Sequence, residues 1–187
     1  MKGLRLAVVI LALGAAAGCR RFGTVNQGWV VEYLAAEGKI TLIPDSGPAT
    51  PVTILVPENP AEMGPPPAAG RLVGVDMRER QFTVFDPGSR SLKKVPFTLL
   101  SQADSVRRDD PRITGRRLPV IDQERGTAII YVPHERRLLT VRLAGESLVL
   151  PAETWRVGEL IRYYYKDPQR ALRLMNVSRT DINKAGE

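Results

Sequence analysis

Apolar and polar residues alternate along short runs of this chain, and turn-forming residues separate the runs. Residues 29–34 and 39–43 show this period-two pattern on either side of a short turn, and 51–56 follow after a proline-rich break. Alternation places every second side chain on the same face of a strand, so each run is typical of a half-buried β-strand. The pattern therefore predicts a three-stranded meander.

The same pattern returns 42 residues later, where Gly70 takes the place of Gly28. Residues 71–76, 81–85 and 96–100 predict the second meander. A third copy begins at Gly126, where 127–132 and 137–143 predict a hairpin and 147–150 a shorter strand. This third copy starts 56 residues after Gly70, so the spacing is not constant. Two origins remain open for the copies: tandem duplication, which the match between the first two copies favours, and chance resemblance between hairpins.

A short tail follows the third copy. Residues 151–155 predict a single helical turn, and 159–166 with 171–177 predict a closing hairpin. A meander, a helical turn and a hairpin follow one another in this order in small closed barrels. The predicted fold class is therefore all-β, with tandem β-meander units forming one or two small OB/SH3-like barrels behind a cleaved lipoprotein signal peptide.

The repeat also predicts the core. Equivalent inward positions on the second strand of each copy are Ile40 and Leu42, Phe82 and Val84, and Leu139 and Val141. Their predicted partners on the first strands are Val31 and Tyr33, Val73 and Val75, and Ile129 and Tyr131. The threonines between the inward pairs, Thr41, Thr83 and Thr140, are expected on the outer face.

An arginine- and aspartate-rich stretch, 104–117, has few residues that suit a core and is the predicted domain boundary. The expected organisation is a signal peptide at 1–18, a lipidated tether at 19–27, an N-terminal β lobe of two meanders at 28–103, a linker at 104–117, a C-terminal small β-barrel at 118–181 and a tail at 182–187. A single fused barrel is the alternative.

The N-terminus has the three parts of a secretory signal: basic Lys2 and Arg5, an apolar run at 6–17, and small residues before Cys19. The run is shorter than the roughly 20 residues that a membrane span needs. Residues 16–19 (AAGC) resemble the lipobox of bacterial lipoproteins, although leucine is more common where Ala16 stands. The alternative is ordinary cleavage nearby, which leaves a soluble protein with a free thiol.

The lipobox resemblance implies cleavage before Cys19, acylation of its thiol and new amino terminus, and membrane lipid as a partner. Arg20 follows in place of aspartate, which by resemblance to the sorting pattern of such proteins implies an outer-membrane location facing the periplasm. Residues 155–167 (WRVGELIRYYYKD) and 174–177 (LMNV) are similar to segments of an uncharacterised bacterial lipoprotein family. That resemblance implies no activity.

The net charge and the single cysteine limit which partners and cross-links are expected. The chain has 27 Lys plus Arg against 20 Asp plus Glu, and loss of Lys2 and Arg5 with the signal leaves a net charge of about +5. This balance suits an anionic neighbour such as lipid headgroups or an acidic envelope polymer. Export removes nucleic acid as an expected partner. The single cysteine excludes an intramolecular disulfide.

The inventory of catalytic residues is sparse. His134 is the only histidine and lies in a charged turn, so neither a Ser-His-Asp unit nor a metal site of His and Cys ligands is indicated. No glycine-rich phosphate loop, GxSxG or HExxH motif is present. The sequence predicts no enzyme activity, no cofactor and no metal. An enzyme with an unfamiliar site is the third hypothesis, after the two given in the next paragraph.

One aromatic cluster is a candidate ligand surface. Alternation puts Tyr163 and Tyr165 on one face of a strand, and Tyr164 beside Arg162 on the other. With Arg173, these two residues would form a basic stacking platform of the kind OB folds offer to ligands. The first hypothesis is a non-enzymatic lipid-anchored envelope protein, acting as a structural module or binding an envelope protein. The alternative is a module that binds an anionic glycan or lipid on this face.

Overall fold

A computed structural model describes residues 23–179, which contain eleven β-strands in two sheets. The strands are β1 Thr24–Leu34, β2 Lys39–Pro44, β3 Val52–Leu55, β4 Leu72–Asp76, β5 Gln81–Asp86, β6 Ser91–Ala103, β7 Val120–Asp122, β8 Thr127–Val132, β9 Arg137–Leu143, β10 Leu160–Tyr165 and β11 Arg173–Asn176. One short α-helix, α1, spans Gly145–Leu148. Single 3₁₀ turns occupy Ala35–Glu37, Pro60–Glu62, Pro133–Glu135 and Ala152–Trp155.

The strand order confirms the all-β prediction and the first two meanders. A five-stranded sheet has the order β11-β10-β1-β2-β3, and a six-stranded sheet has the order β4-β5-β6-β9-β8-β7. The predicted strand at 147–150 is wrong, because α1 occupies this position. A strand continuing the meander would have to pair with β9, whose two edges are already taken by β6 and β8.

The predicted C-terminal barrel at 118–181 is not what the strands form. The closing hairpin pairs through β10 with β1, and β6 crosses the predicted boundary to pair with β9. Both pairings cover edges of β1 and β6 that would otherwise leave backbone groups unpaired. No closed barrel is found in residues 23–179. The outer strand β3 instead meets the turn between β10 and β11 at a bridge between Leu55 and Arg170.

The inward positions predicted on the second strands are confirmed. Those of the first copy lie in the core of the five-stranded sheet, and those of the other two copies lie in the core of the six-stranded sheet. These six side chains are at most 4% exposed: Ile40, Leu42, Phe82, Val84, Leu139 and Val141.

The partners predicted on the first strands are only partly right, because β1 and β4 each contain a bulge. The register of β1 shifts between Val30 and Glu32, and that of β4 shifts at the equivalent place, around Val73. A bulge adds one residue to a strand and so breaks the alternation of faces. As a result Val30 and Tyr33 share the core face of β1, while Val31 points to the opposite side.

The bulged residues meet each other between the sheets. Val31 and Ile43 of the first copy pack with Val73 and Phe85 of the second in a separate cluster. Val31 and Val73 are 42 residues apart, as are Ile43 and Phe85, which is the spacing of the repeat. The two meanders therefore contact one another through equivalent positions, which supports duplication over chance resemblance.

The third copy lacks the bulge, and its register differs accordingly. The pairing of β8 with β9 runs without a shift, so Ala128, Ile130 and Val132 face the core. The predicted inward residues Ile129 and Tyr131 are instead partly exposed on the other face. Alternation was the correct rule for this strand, but the sequence alignment with the bulged copies placed it one residue out of register.

The two sheets join where three backbone segments cross. Gly70 N donates to Val30 O at 3.0 Å, and Val30 N donates to Glu159 O at 3.0 Å. Gly158 lies between them: a β-carbon on this residue would stand 1.8 Å from Val30 O and 3.0 Å from Gly70 N. Glycine at position 158 is therefore required by close backbone approach.

A second contact between the sheets comes from Arg90, in the turn that joins β5 to β6. Its guanidinium donates to Thr41 Oγ1 at 2.9 Å and to Thr53 Oγ1 at 2.7 Å, and it pairs with Glu32 at 3.1 Å. This side chain covers Thr41, which is 1% exposed and so departs from the outer position predicted for it.

Candidate functional site

The three residues of the predicted ligand surface lie on one face of the β10–β11 hairpin. Tyr164 is directly opposite Arg173, and Arg162 is two residues from Tyr164 along β10. Cross-strand partners and residues two apart project to the same side of a sheet. Their opposite-face neighbours behave as expected, since Tyr163 is 3% exposed and its ring stacks on Tyr165 at 5.4 Å.

Both arginines of this surface already have partners. Arg162 Nε and Nη2 donate to Gln27 Oε1 at 3.2 and 3.1 Å, and Gln27 donates in turn to Asp45 at 2.6 Å. Arg173 lies 3.4 Å from Glu62. These contacts hold both guanidinium groups in place, and the Glu62 carboxylate offsets part of the charge of Arg173.

Arg173 also lines a cavity of about 270 Å³ along β11, with Glu62, Asn176 and Arg179 among its other lining residues. Arg162 and Tyr164 do not line it. The structure therefore brings the three predicted residues onto one face but does not join them in a single cavity.

Glu159 forms hydrogen bonds that hold the segment before Gly70 in place beside this cavity. Its carboxylate accepts hydrogen bonds from Ala68 N at 2.7 Å, Asn176 Nδ2 at 2.8 Å and Arg179 Nε at 2.6 Å. Burial alone raises the pKa of Glu159, but these three donors outweigh it, so the pKa lies below its ordinary value. The carboxylate holds the extended segment before Gly70 against the β10–β11 hairpin.

A larger cavity was missed by sequence reasoning. It has a volume of about 400 Å³ and is lined by Arg107, Arg108, Asp109, Tyr131, Pro133 and Arg136. The sequence assigned the first three of these to a linker. The signal for this cavity in the sequence was the density of arginine in 104–117. Arg136 is distant from that stretch along the chain, and only the strand pairing brings the two together.

Val106 explains why this stretch is not a free linker. Its side chain is fully buried, its N–H donates to Arg136 O at 2.7 Å, and its carbonyl accepts from Tyr131 Oη at 2.9 Å. Arg137 Nε adds a hydrogen bond to Asp104 at 2.8 Å. These contacts fix residues 104–108 against the turn that joins β8 to β9.

The cavity continues towards an apolar cleft of about 90 Å³, with which it shares Tyr131 and Pro133. Trp155 lines this cleft and is fully buried, and its Nε1–H has no acceptor among the described residues. The ring nonetheless packs well, since Phe82 lies edge-on to it at 5.7 Å.

The model of a domain of unknown function (DUF4881) matches residues 21–185 of the chain. The chain belongs to the DUF4881 family. Neither the curated proteins nor the solved structures compared with it include a match. Both sheets of this DUF4881 chain fall within the single family match, including the strands that the sequence divided between two lobes.

Cys19, the predicted lipidation site of the DUF4881 chain, lies outside residues 23–179. Within that range the structure contains no helix of the length and apolar character that a membrane crossing needs. Nor does the described range contain a cluster of three or more His, Cys, Asp or Glu side chains suited to a metal ion.

His134 has a packing role in this DUF4881 structure. Its ring lies 5.2 Å from that of Trp29, so the turn between β8 and β9 contacts the five-stranded sheet. Partial burial of the side chain, which is 30% exposed, lowers the pKa of His134 below its ordinary value of 6.5, and the nearby Glu135 carboxylate only partly opposes this effect.

This pKa shift predicts a pH-dependent stability. As the pH falls below about 6.5, the unfolded chain takes up a proton on His134 before the folded chain does, so the stabilisation present at higher pH is progressively lost. Urea unfolding between pH 7.5 and 5.5 should show a steeper decline for the wild-type chain than for His134→Gln. Equal slopes for the two proteins would contradict this assignment.

Proposed function

We propose that this DUF4881 chain is a non-enzymatic cell-envelope protein, anchored by lipid on Cys19 and acting as a structural or interaction module. Its proposed location is the outer membrane, facing the periplasm. The observation that carries the proposal is the distance along the chain between Cys19 and the first strand: β1 begins at Thr24.

A tether this short restricts the position of the body. Five residue steps from Cys19 to Thr24 span at most about 18 Å. An acylated Cys19 would therefore hold the start of β1 close to the bilayer surface. Gly23 lies against the Tyr165 carbonyl, which puts Lys166 at the same end of the sheet. Basic side chains near a membrane surface favour contact with anionic headgroups.

The number of acyl chains decides how firmly such an anchor holds. Burial of each CH₂ group contributes about 0.8 kcal/mol, so one chain binds a membrane marginally and two or more bind it stably. The lipoprotein pattern that residues 16–19 resemble carries three chains. Spontaneous release from the membrane would then be negligible.

Replacement of Cys19 by serine tests the anchor in cells. The Cys19→Ser protein should be recovered as soluble material or as uncleaved precursor, whereas the wild-type chain and a Thr24→Ser control should be retained in the membrane fraction. Correct cleavage of Cys19→Ser together with membrane retention would refute the lipid anchor. Density fractionation that finds the wild-type protein only in inner membrane would overturn the sorting proposal and leave the anchor intact.

The alternative function is a binding module for an anionic glycan or lipid on the face of Arg162, Tyr164 and Arg173. Their placement on one side of the β10–β11 hairpin supports it. Capture of anionic envelope polymer by the wild-type chain should then weaken in Arg162→Gln/Arg173→Gln and persist in Arg78→Gln/Arg125→Gln. Equal capture by both double variants would remove this candidate.

A further inference from the structure

The cavity around Tyr131 concentrates positive charge. Three of its six lining residues are arginines, and Asp109 is the single acid among them, so the lining carries a net charge of +2. Two neighbouring carboxylates are each paired with an arginine outside the lining, which offsets their charge. Asp110 is held by Arg112, and Glu135 pairs with Arg137 at 2.6 Å.

The guanidinium groups keep most of their hydrogen-bonding capacity. Arg108 donates to Ser178 O at 3.0 Å, which uses one of its five N–H groups. In residues 23–179, the side chains of Arg107 and Arg136 form no hydrogen bond or ion pair with another protein group. Arginine forks match the oxygen geometry of phosphate and carboxylate groups.

The backbone that carries these arginines is held before any ligand arrives. The backbone N–H and carbonyl of Val106 form hydrogen bonds with Arg136 and Tyr131 respectively, and the carboxylate of Asp104 accepts one from Arg137. Preorganised donors bind an anion with a smaller loss of conformational freedom than donors on a flexible loop. A solvated surface patch of arginines would not need these anchoring contacts.

We propose that Arg107, Arg108 and Arg136 form a binding site for a phosphate group carried by a small molecule or a lipid headgroup. The positive net charge of the lining suits an anionic phosphate group, whether a monoester or a diester. The cavity, at about 400 Å³, has the size of small-molecule pockets, so it has room for more than the phosphate itself. Tyr131 and Pro133 also line the cavity and provide less polar surface for the remainder of the ligand. This site does not rest on the lipid anchor, nor on the face of Arg162, Tyr164 and Arg173.

Calorimetric titration of the full chain in a neutral detergent tests the site. One arm uses inorganic phosphate, and the other uses micelles containing phosphatidylglycerol, with phosphatidylcholine micelles as their reference. Arg107→Gln/Arg136→Gln should weaken binding at least about tenfold, because it removes charge-assisted hydrogen bonds. Arg78→Gln/Arg125→Gln removes the same charge from exposed turns and should change binding less than about twofold.

Saturable binding with this pattern in either arm supports the proposal, and the arm in which it occurs identifies the source of the phosphate. Absence of saturation in both arms, or equal weakening in the two double variants, overturns it. If Arg107→Gln/Arg136→Gln melts at a lower temperature than the wild type, the titration uses the single variant Arg107→Gln instead. The Arg107 side chain has no protein partner in residues 23–179, so its replacement should not affect folding. A single-variant affinity equal to wild type would also overturn the proposal.

Discussion

Replacement of Gly158 by alanine is expected to prevent the two sheets from docking. The added β-carbon would stand 1.8 Å from Val30 O and 2.9 Å from the carbon of the same carbonyl. Both atoms belong to the Val30 carbonyl, which accepts a hydrogen bond from Gly70 N, so no side-chain movement can relieve the overlap. The cost should exceed the roughly 1–3 kcal/mol typical of overpacking and use up much of a 5–15 kcal/mol stability.

The measurement is soluble yield followed by urea unfolding of whatever protein is recovered. Gly74→Ala is the matched control, because a β-carbon on that strand glycine would meet no atom within 4 Å. It should leave the unfolding midpoint nearly unchanged. A Gly158→Ala protein as stable as the control would mean that the backbone crossing of Val30, Gly70 and Gly158 is wrongly placed.

Truncation of Phe82 to alanine is expected to cost about 3–5 kcal/mol, the range for a large buried aromatic side chain. Phe82 is fully buried, its ring stacks on Phe97 at 4.4 Å, and Trp155 packs against its edge. Removal leaves a cavity that strand backbones held by ladders on both sides cannot collapse to fill. Denaturant unfolding gives the loss directly.

Thr83→Ala is the control for this truncation, since it lies one residue along the same strand on the opposite face. Its hydroxyl accepts a hydrogen bond from Lys94 at 2.7 Å in an exposed setting, so its loss should cost well under half as much. The same contrast is expected between Leu139→Ala and Thr140→Ala. Equal losses at Phe82 and Thr83 would contradict the register of β5.

Local pattern predicted much of this fold because most of its strands obey simple alternation. The inward residues of β2, β5 and β9 follow from period two alone, and all of them are buried. The bulges of β1 and β4 could not be foreseen, since a bulge depends on what the extra residue contacts. Val31 and Val73 find that contact only when the two meanders meet.

Long-range pairing explains the other differences. Nothing local to β10 indicates that it pairs with β1, more than 100 residues earlier in the chain. The same limit applies to the candidate sites. Alternation placed Arg162 and Tyr164 on one face correctly, whereas the approach of Arg136 to Arg107 depends on a buried Val106 within a stretch whose composition suggested a linker.

Intact-mass measurement of the full chain purified from membranes decides whether Cys19 carries lipid. The mature protein is expected to begin at Cys19 and to carry the added mass of a diacylglyceryl group, with a further acyl chain on the new amino terminus. A chain that begins at another residue, or that begins at Cys19 with an unmodified thiol, would contradict it.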